Sequence, residues 1–257
     1  MRLIRSFCMA LSMYSRLPVP RVAWLEENRT YALCFFPVVG AFIGLFWLLW
    51  FLLARLLGFG AILNAAVASL IPLAVSGGIH MDGFLDTADA LGSHAPRERM
   101  LEIMKDPHVG ASALIAGIVY ALLAFALWTE VDIASPALFA LLLIPVLSRA
   151  LSALAVATFQ SAKGDGLLVA FQKAADVKIL RIISALWILT AAAIMIGRAS
   201  FGGGAILLTA LASFAVYRVM SYKRFGGTTG DLAGWFVQVC ELACLASFVV
   251  AERIGGL

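Results

Sequence analysis

The chain has 257 residues, of which 63% are hydrophobic and 13% are charged, with a net charge of +4 and a mean hydropathy of +0.98. This composition is too apolar for a soluble domain of this length. The few charges cluster between long apolar runs, as in a polytopic helical membrane protein. The four cysteines show no metal-ligand spacing and are predicted to be packing residues. We expect an all-α, membrane-embedded bundle that forms a single domain over residues 1–257.

The N-terminal segment, residues 1–30, carries five arginines scattered among short apolar stretches, a pattern unlike that of a cleavable signal peptide. It favours an amphipathic helix on the membrane surface, with Phe7, Leu11 and Tyr14 on one side. A rigid turn at Leu17-Pro18-Val19-Pro20 is expected to follow this interfacial helix.

Seven apolar segments are long enough to cross roughly 30 Å of hydrocarbon. They cover residues 32–57, 61–78, 110–129, 134–159, 179–197, 203–220 and 232–251. The second segment is short for a full crossing, and Gly77 and Gly78 are expected to end it as a broken helix at the membrane boundary.

The basic residues predict the orientation of the spans. With the N-terminus in the cytoplasm, fifteen of the nineteen Lys and Arg residues lie on the cytoplasmic side. Arg55, Arg198 and Arg253 fall outside, and Arg149 lies within a span. The prediction is therefore N-in and C-out. It places three polar loops, 79–109, 160–178 and 221–231, together on the cytoplasmic side, where a site is expected to assemble.

Three carboxylates follow closely after Gly77 and Gly78. If this segment is helical, Asp82, Asp86 and Asp89 lie at i, i+4 and i+7 and share one narrow face. Ionised acids in such proximity repel one another, and oxygen ligands favour Mg²⁺, which keeps coordination positions for substrate phosphates. The pattern predicts a Mg²⁺-diphosphate site. The alternative is the solvated face of an ordinary loop helix.

The remainder of the first loop and the whole of the second loop indicate a function less clearly than the acidic stripe does. A short helix is expected to begin at Pro96. Lys105 and Asp106 lie where the chain enters the membrane. They either bind phosphate and metal or simply pair with each other. The turn from Lys163 to Gly166 carries no group that indicates a particular reaction, so the loop at 160–178 is a lid or a connection.

The loop at 221–231 opens the last span and is predicted to bind phosphate. Glycines beside a helix start let backbone N–H groups approach anionic oxygens, and basic side chains neutralise further charge. Asp231 can cap the helix. The candidate phosphate-binding residues are Lys223, Arg224, Gly227, Thr229 and Gly230.

Two charged residues lie inside predicted spans, where they are expected to face the bundle interior. Arg149 and Glu241 either pair with each other or serve the substrate. In the second case, Arg149 would bind a phosphate and Glu241 would orient a substrate hydroxyl or a metal-bound water.

Many of these residues belong to short motifs that follow one another in a fixed order along the chain. They are Arg16, Pro18 and Pro20; Phe36, Pro37 and Gly40; Gly78, His80, Asp82, Gly83, Asp86, Thr87 and Asp89; Ile103-Met104-Lys105-Asp106 and Gly110; Ser148-Arg149; and Gly227, Thr229, Gly230, Asp231 and Gly234. Over nearly the whole chain this pattern resembles the cobalamin synthase family, also called adenosylcobinamide-GDP ribazoletransferases. Two positions depart from it. Ala90 replaces a glycine, and Gln238 replaces one of two glutamates, which leaves Glu241 alone.

The resemblance implies the last step in assembling the cobalamin nucleotide loop, in the bacterial inner membrane. Adenosylcobinamide-GDP and α-ribazole, or its 5′-phosphate, would give adenosylcobalamin, or its 5′-phosphate, and GMP, with Mg²⁺. The ribose 3′-hydroxyl would attack the phosphorus attached to cobinamide. The expected partners are these substrates and the lipid bilayer, without nucleic acid. A homo-oligomer, or a complex with other corrinoid-assembly enzymes, is left open.

Each candidate residue has an expected role in that reaction. The Asp stripe would bind Mg²⁺. His80 is the first choice for the general base because its ordinary pKa is near neutrality, and an Asp of the cluster that does not bind the metal, such as Asp82, is the second. This role assumes that the glycine break leaves His80 outside the helix. The charge on the leaving GMP would be neutralised by Lys105, Lys223 and Arg224. The other expected site residues are Asp231 as a catalytic group and Arg149, Gly227, Thr229, Gly230 and Glu241 as substrate-binding groups.

Two other kinds of membrane protein compete with this interpretation. CDP-alcohol phosphotransferases and aromatic prenyltransferases also hold Mg²⁺-diphosphate between aspartates, but the first carry a DGxxAR run and the second two Asp-rich loops, which this sequence lacks. A transporter would use Arg149 and Glu241 as pathway residues, yet the sequence contains no internal repeat.

Overall fold

The computed structural model describes residues 2–164 and 166–255, and its regular structure is helical. The helices are α1 (Arg2–Tyr14), α2 (Glu26–Arg29), α3 (Phe36–Leu57), α4 (Ala61–Ser76), α5 (Ile79–Gly92), α6 (Arg97–Ile103), α7 (Ala111–Thr129), α8 (Leu138–Leu141), α9 (Ile144–Thr158), α10 (Leu167–Ala174), α11 (Val177–Arg198), α12 (Ser200–Met220) and α13 (Gly230–Gly255). A 3₁₀ turn (Ala32–Phe35) precedes α3, and a π turn (Ser221–Phe225) follows α12. Within the described ranges no β-strand occurs, which confirms the all-α prediction. Asp165, in the predicted turn of the second loop, lies outside the described residues.

Within those ranges, six helical stretches are long and apolar enough to cross a membrane. They are Glu26–Leu57, Ala111–Thr129, Leu138–Thr158, Val177–Arg198, Phe201–Phe225 and Gly230–Gly255. A seventh apolar segment, α4, is followed by α5 at an angle of 96°. The protein is therefore a multi-pass membrane protein, and the seven predicted segments each correspond to one of these helices.

The break between α4 and α5 lies at the predicted glycine pair. Gly77 and Gly78 have φ angles of +67° and +83°, in the left-handed region that only glycine adopts without strain. Two such residues in succession end α4 and turn the chain sharply. The polar helix α5 therefore does not continue α4 through the bilayer, and its carboxylates face other elements.

The predicted interfacial helix is α1, which is shorter than the predicted segment of residues 1–30. Its Met9, Ala10 and Leu11 are buried. The rings of Phe7 and Phe35 pack edge to face, with 5.6 Å between their centres, so α1 is fixed against the turn that begins α3. The four cysteines are free and buried, which confirms that they pack in the core.

The central helix is α9, most of whose residues are buried. Two glycines let α3 approach it closely, because a methyl group on Gly40 would overlap the Pro145 carbonyl and one on Gly44 would overlap that of Leu142. This approach brings the start of α3 beside Arg149 of α9, whose guanidinium carbon lies 5.8 Å from the centre of the Phe36 ring.

The three polar loops meet at one end of the bundle. Thr228 and the strand-like segment 160–162 exchange backbone hydrogen bonds of 2.8 Å, and Arg97 donates to the Ala162 carbonyl at 3.4 Å. Arg253, near the far end of α13, pairs with Glu130 at the end of α7. Arg253 was predicted to lie on the side opposite the loops, and the fold places it there together with Glu130.

Candidate active site

The site is built where α5 packs against the start of α13. A methyl group on Gly83 would lie 2.6 Å from the Asp231 carbonyl oxygen, and one on Gly234 would lie 3.1 Å from that of His80. The distance at Gly83 is closer than a side chain tolerates against backbone, and the distance at Gly234 is tighter than most side-chain contacts, so glycine at these positions permits the contact. The contact brings the acidic helix to the predicted phosphate loop, as the sequence predicted.

A cavity of about 240 Å³ opens beside this contact. Its polar wall combines groups from three loops: His80, Asp82, Lys163, Thr229, Gly230 and Asp231. Its apolar wall comes from α1, the start of α3 and α10, and includes Tyr14, Phe36, Leu168 and Phe171. The loop at 160–178 is therefore more than a connection, because its helix α10 forms one side of the cavity.

The three predicted acids lie in α5, which confirms the helical interpretation of this segment. Burial and the negative charges of Asp82, Asp231 and Asp89 raise the pKa of Asp86 to about 6. The positive charge of Lys163 opposes this effect. Carboxylates from two helices thus repel the charge of Asp86, and a cation near them would relieve this repulsion.

Asp89 has structural partners of its own. Its carboxylate oxygens accept the backbone N–H groups of Gly110 at 2.5 Å and Ala113 at 2.7 Å, at the start of α7. A carboxylate at a helix N-terminus satisfies donors that the helix leaves free. Asp89 therefore holds α7 against α5, a role that the regular spacing of the acids did not reveal.

The side chains at the α5–α13 contact carry oxygen donors, which suit a hard cation. Among the described residues, no group of three or more His, Cys, Asp or Glu side chains forms a ready cage for a metal ion. Mg²⁺ is commonly held by one or two carboxylates together with substrate phosphates, so such a cage is not required. Asp82, Asp86 and Asp231 supply the appropriate oxygen donors around the α5–α13 contact.

Lys163 is a site residue that the sequence did not identify. The backbone pairing of segment 160–162 with Thr228 fixes the chain next to it, and its positive charge acts on both Asp86 and Asp231. Arg97 supports the same turn from α6 through the Ala162 carbonyl. Only contacts between distant parts of the chain place Lys163 here, and its local sequence carries no recognisable motif.

The residues of the loop at 221–231 and the start of α13 differ in what they contribute to the cavity. The Thr229 hydroxyl accepts the Leu232 N–H at 3.2 Å and so caps α13, the role expected of Asp231. Asp231 lines the cavity with Gly230. Gly227 instead packs against the chain at Gln160, where a methyl group would lie 2.6 Å from the carbonyl oxygen.

Three predicted basic residues lie elsewhere on the same end of the bundle. Lys105, Lys223 and Arg224 are exposed, and none of them lines the cavity. Next to Lys105, Asp106 accepts the backbone N–H of His108 at 3.0 Å and contacts its ring nitrogen Nδ1. Asp106 is therefore engaged with His108 rather than with Lys105.

His80 is helical, contrary to the assumption attached to its role as a base, since α5 begins at Ile79. It is nevertheless a lining residue of the cavity, with its ring packed against those of Tyr14 and Phe36. Burial, and next the positive charge of Arg149, lower the pKa of His80 well below its ordinary value. Its Nε2 atom is buried without a hydrogen-bond partner among the described residues.

Arg149 and Glu241 pair with each other, as one of the two alternatives expected. The Arg149 Nη1 atom lies 2.6 Å from the Glu241 Oε1 atom, which also accepts the Ser148 hydroxyl at 2.7 Å. Both charged side chains are buried, and neither lines the cavity. A direct contact of either residue with substrate stays a prediction.

The family model described as Cobalamin-5-phosphate synthase matches residues 6–249. The chain belongs to the cobalamin-5-phosphate synthase family.

Relatives in this family match the chain from end to end. The adenosylcobinamide-GDP ribazoletransferase of Lachnoclostridium phytofermentans is 43% identical over 99% of this chain and 97% of its own length. Proteins of the same name from Pseudomonas entomophila and Pseudomonas fluorescens are 38% and 35% identical, over 95% of this chain and 98% and 99% of their lengths. No solved structure matches the chain.

The match to the cobalamin-5-phosphate synthase family includes every element that lines the cavity, from α1 to α13. It confirms the resemblance carried by the sequence motifs. The CDP-alcohol phosphotransferase, prenyltransferase and transporter interpretations are set aside by this membership.

Proposed function

We propose that this chain joins adenosylcobinamide-GDP to α-ribazole, or its 5′-phosphate, to give adenosylcobalamin, or its 5′-phosphate, and GMP. The observation that carries the proposal is the cavity at the start of α13, with Asp82, Lys163 and Asp231 on one wall, in a chain that aligns throughout with ribazoletransferases. Carboxylates for a metal ion, an ammonium group and a helix N-terminus together suit a diphosphate.

In this reaction one P–O bond forms and one breaks. The ribose hydroxyl oxygen bonds to the phosphorus attached to cobinamide, and the bond from that phosphorus to the bridging oxygen breaks. GMP leaves with the bridging oxygen. Transfer of this type depends on positioning and charge neutralisation more than on covalent help from the protein.

His80 is the proposed acceptor of the hydroxyl proton. Its position in the cavity wall supports this role, as does an Nε2 atom that has no hydrogen-bond partner in the part of the chain that the structure describes. The lowered pKa keeps the ring neutral and able to accept a proton, although the same shift makes it a weaker base than an exposed histidine. The rings of Tyr14 and Phe36 would hold the imidazole in place.

Mg²⁺ is the proposed cofactor, held by Asp82 and Asp86 with Asp231 across the helix contact. When bound, the ion would neutralise the negative charge of the diphosphate. The raised pKa of Asp86, caused by its burial and by the charges of the neighbouring acids, supports the assignment. We assign Asp89 to positioning α7, because its oxygens already accept two N–H groups.

Lys163 is proposed to neutralise charge on the phosphoryl groups, in addition to the exposed Lys105, Lys223 and Arg224. Its place in the wall of the cavity supports this role. The three exposed residues lie outside that wall, so any contribution from them would act on the approach of the anionic substrate.

The proposed location is the bacterial inner membrane, with the N-terminus and the cavity facing the cytoplasm. The excess of Lys and Arg at the cavity end supports this orientation. It would give the site access to soluble nucleotide substrates.

The test is an assay of the full chain in liposomes with both substrates and Mg²⁺. We expect GMP and the corrinoid product to form in equal amounts, with no GMP when the α-ribazole substrate is omitted. Absence of GMP from the complete mixture would overturn the proposal. GMP release at the same rate without the acceptor would identify a hydrolase instead.

A further inference from the structure

A second concave surface lies on the outside of the bundle, between α3 and α4. It is an open apolar groove of about 510 Å³. Its walls include Phe46, Leu49 and Leu53 of α3 and Val67 and Ile71 of α4. Leu49 and Leu53 are exposed, as expected for side chains that face lipid in a multi-pass membrane protein.

Arg16 lies at one end of this otherwise apolar groove. Its backbone N–H donates to the Val75 carbonyl at 2.8 Å, which fixes the chain at the end of α4. Its side chain crosses Gly77, where a methyl group would lie 2.5 Å from the guanidinium Nε atom. The fold therefore places a cation at the groove end that lies next to the α4–α5 break.

The charge of Arg16 is available to a ligand. The residue is exposed, and it forms no ion pair with any residue of the described ranges. Trp50, another lining residue, has a buried indole N–H that lacks a hydrogen-bond partner there. The groove thus combines apolar walls with the Arg16 guanidinium at one end, which no acidic side chain of the described ranges neutralises.

We infer that this groove binds an anionic phospholipid, with its phosphate on Arg16 and one acyl chain between α3 and α4. The segment of α4 from Val67 to Val75 is about 12 Å long at 1.5 Å per residue, which suits the upper half of an acyl chain. A basic residue at the membrane surface favours an anionic headgroup over a neutral one. Arg16 lies beside the turn that orients α5, so a bound lipid would stabilise that turn from the outside of the bundle.

Native mass spectrometry of the full chain, in detergent with equal amounts of phosphatidylglycerol and phosphatidylcholine, tests this site. We expect the wild type to retain phosphatidylglycerol preferentially, and Arg16→Gln to reduce that preference about fivefold. Ala74→Phe, at an exposed lining position, fills the groove and should reduce retention of both lipids. Arg55→Gln, on an exposed part of α3 outside the groove, is the matched control and should behave as the wild type.

Three results would overturn the inference. Equal retention of the two lipids by the wild type would show that Arg16 does not select a headgroup. Undiminished retention by Ala74→Phe would show that the acyl chain lies elsewhere. Displacement of the lipid by millimolar glycerol phosphate would indicate a site for free phosphates rather than for a phospholipid.

Discussion

At the scale of single residues, Lys163 brings a positive charge to a cavity whose other charged lining residues, within the described ranges, are Asp82 and Asp231. An ammonium group in this position either balances the acids or receives a phosphate. The two roles differ in their effect on catalysis, because only the second makes the rate depend on the charge of Lys163.

Replacement of Lys163 by Met should lower kcat/KM for ribazole transfer about ten- to hundredfold, as expected for loss of one charge-assisted contact to phosphate. Lys163→Arg should retain much of the activity. The matched control is Lys178→Met, an exposed position at the start of α11. Wild-type kinetics for Lys163→Met in an active preparation would mean that the residue only balances the acids.

The residues of the acidic stripe could be predicted because helical periodicity relates positions a few residues apart. Lys163 and the partners of Asp89 could not. Gly110 and Ala113 follow Asp89 by 21 and 24 residues, and the turn at Lys163 is placed by pairing with Thr228. Their roles depend on contacts between separate elements, which a local pattern does not encode.

At the scale of elements, the close approach of α5 and α13 sets the geometry of the site. Gly83→Ala would place a methyl group 2.6 Å from the Asp231 carbonyl oxygen and 2.8 Å from its Cα atom. Because both atoms belong to backbone, the helices must move apart. We expect a loss of about 1–3 kcal/mol in stability and most of the activity.

Gly197→Ala is the control for this change, since nothing lies within 4 Å of the added methyl group in α11. It should leave activity intact and raise helix stability slightly. Thermal unfolding and GMP release, measured on both variants, separate the two effects. Full activity in Gly83→Ala would contradict the close contact described above.

The buried pair of Arg149 and Glu241 joins α9 to α13. Arg149→Met alone would leave the Glu241 carboxylate buried without its partner, at a cost of about 3–5 kcal/mol. The double change to Met at both positions should recover much of that loss. If the double variant regains stability without activity, the pair also has a role in the reaction. An equal midpoint of thermal unfolding for wild type and Arg149→Met would contradict a structural pair.

The elements themselves were largely predictable, because apolar length and glycine pairs are local signals. The seven apolar segments and the break at Gly77 and Gly78 follow from them. Helix α10 was not predicted, although its Phe171 is almost fully buried. A short helix between polar turns gains its stability from packing rather than from its own sequence.

At the scale of the whole molecule, composition alone indicates a membrane bundle, and the fold concentrates its chemistry at one end. Two walls of different character meet there. The acids, the lysine and the α13 N-terminus suit a charged diphosphate, while α1, α3 and α10 supply apolar surface for the remainder of a large substrate. Such a division matches an amphipathic nucleotide-linked reactant.

The most direct measurement is the rate of GMP release against Mg²⁺ concentration for the full chain in liposomes, with Asp82→Asn, Asp86→Asn and Asp106→Asn beside the wild type. Asp106 is exposed and accepts a hydrogen bond from His108, so its variant is the matched control. We expect Asp82→Asn and Asp86→Asn to lose about a hundredfold in rate and to require more Mg²⁺, while Asp106→Asn follows the wild type. Wild-type turnover and Mg²⁺ dependence in both Asp82→Asn and Asp86→Asn would contradict the proposed site.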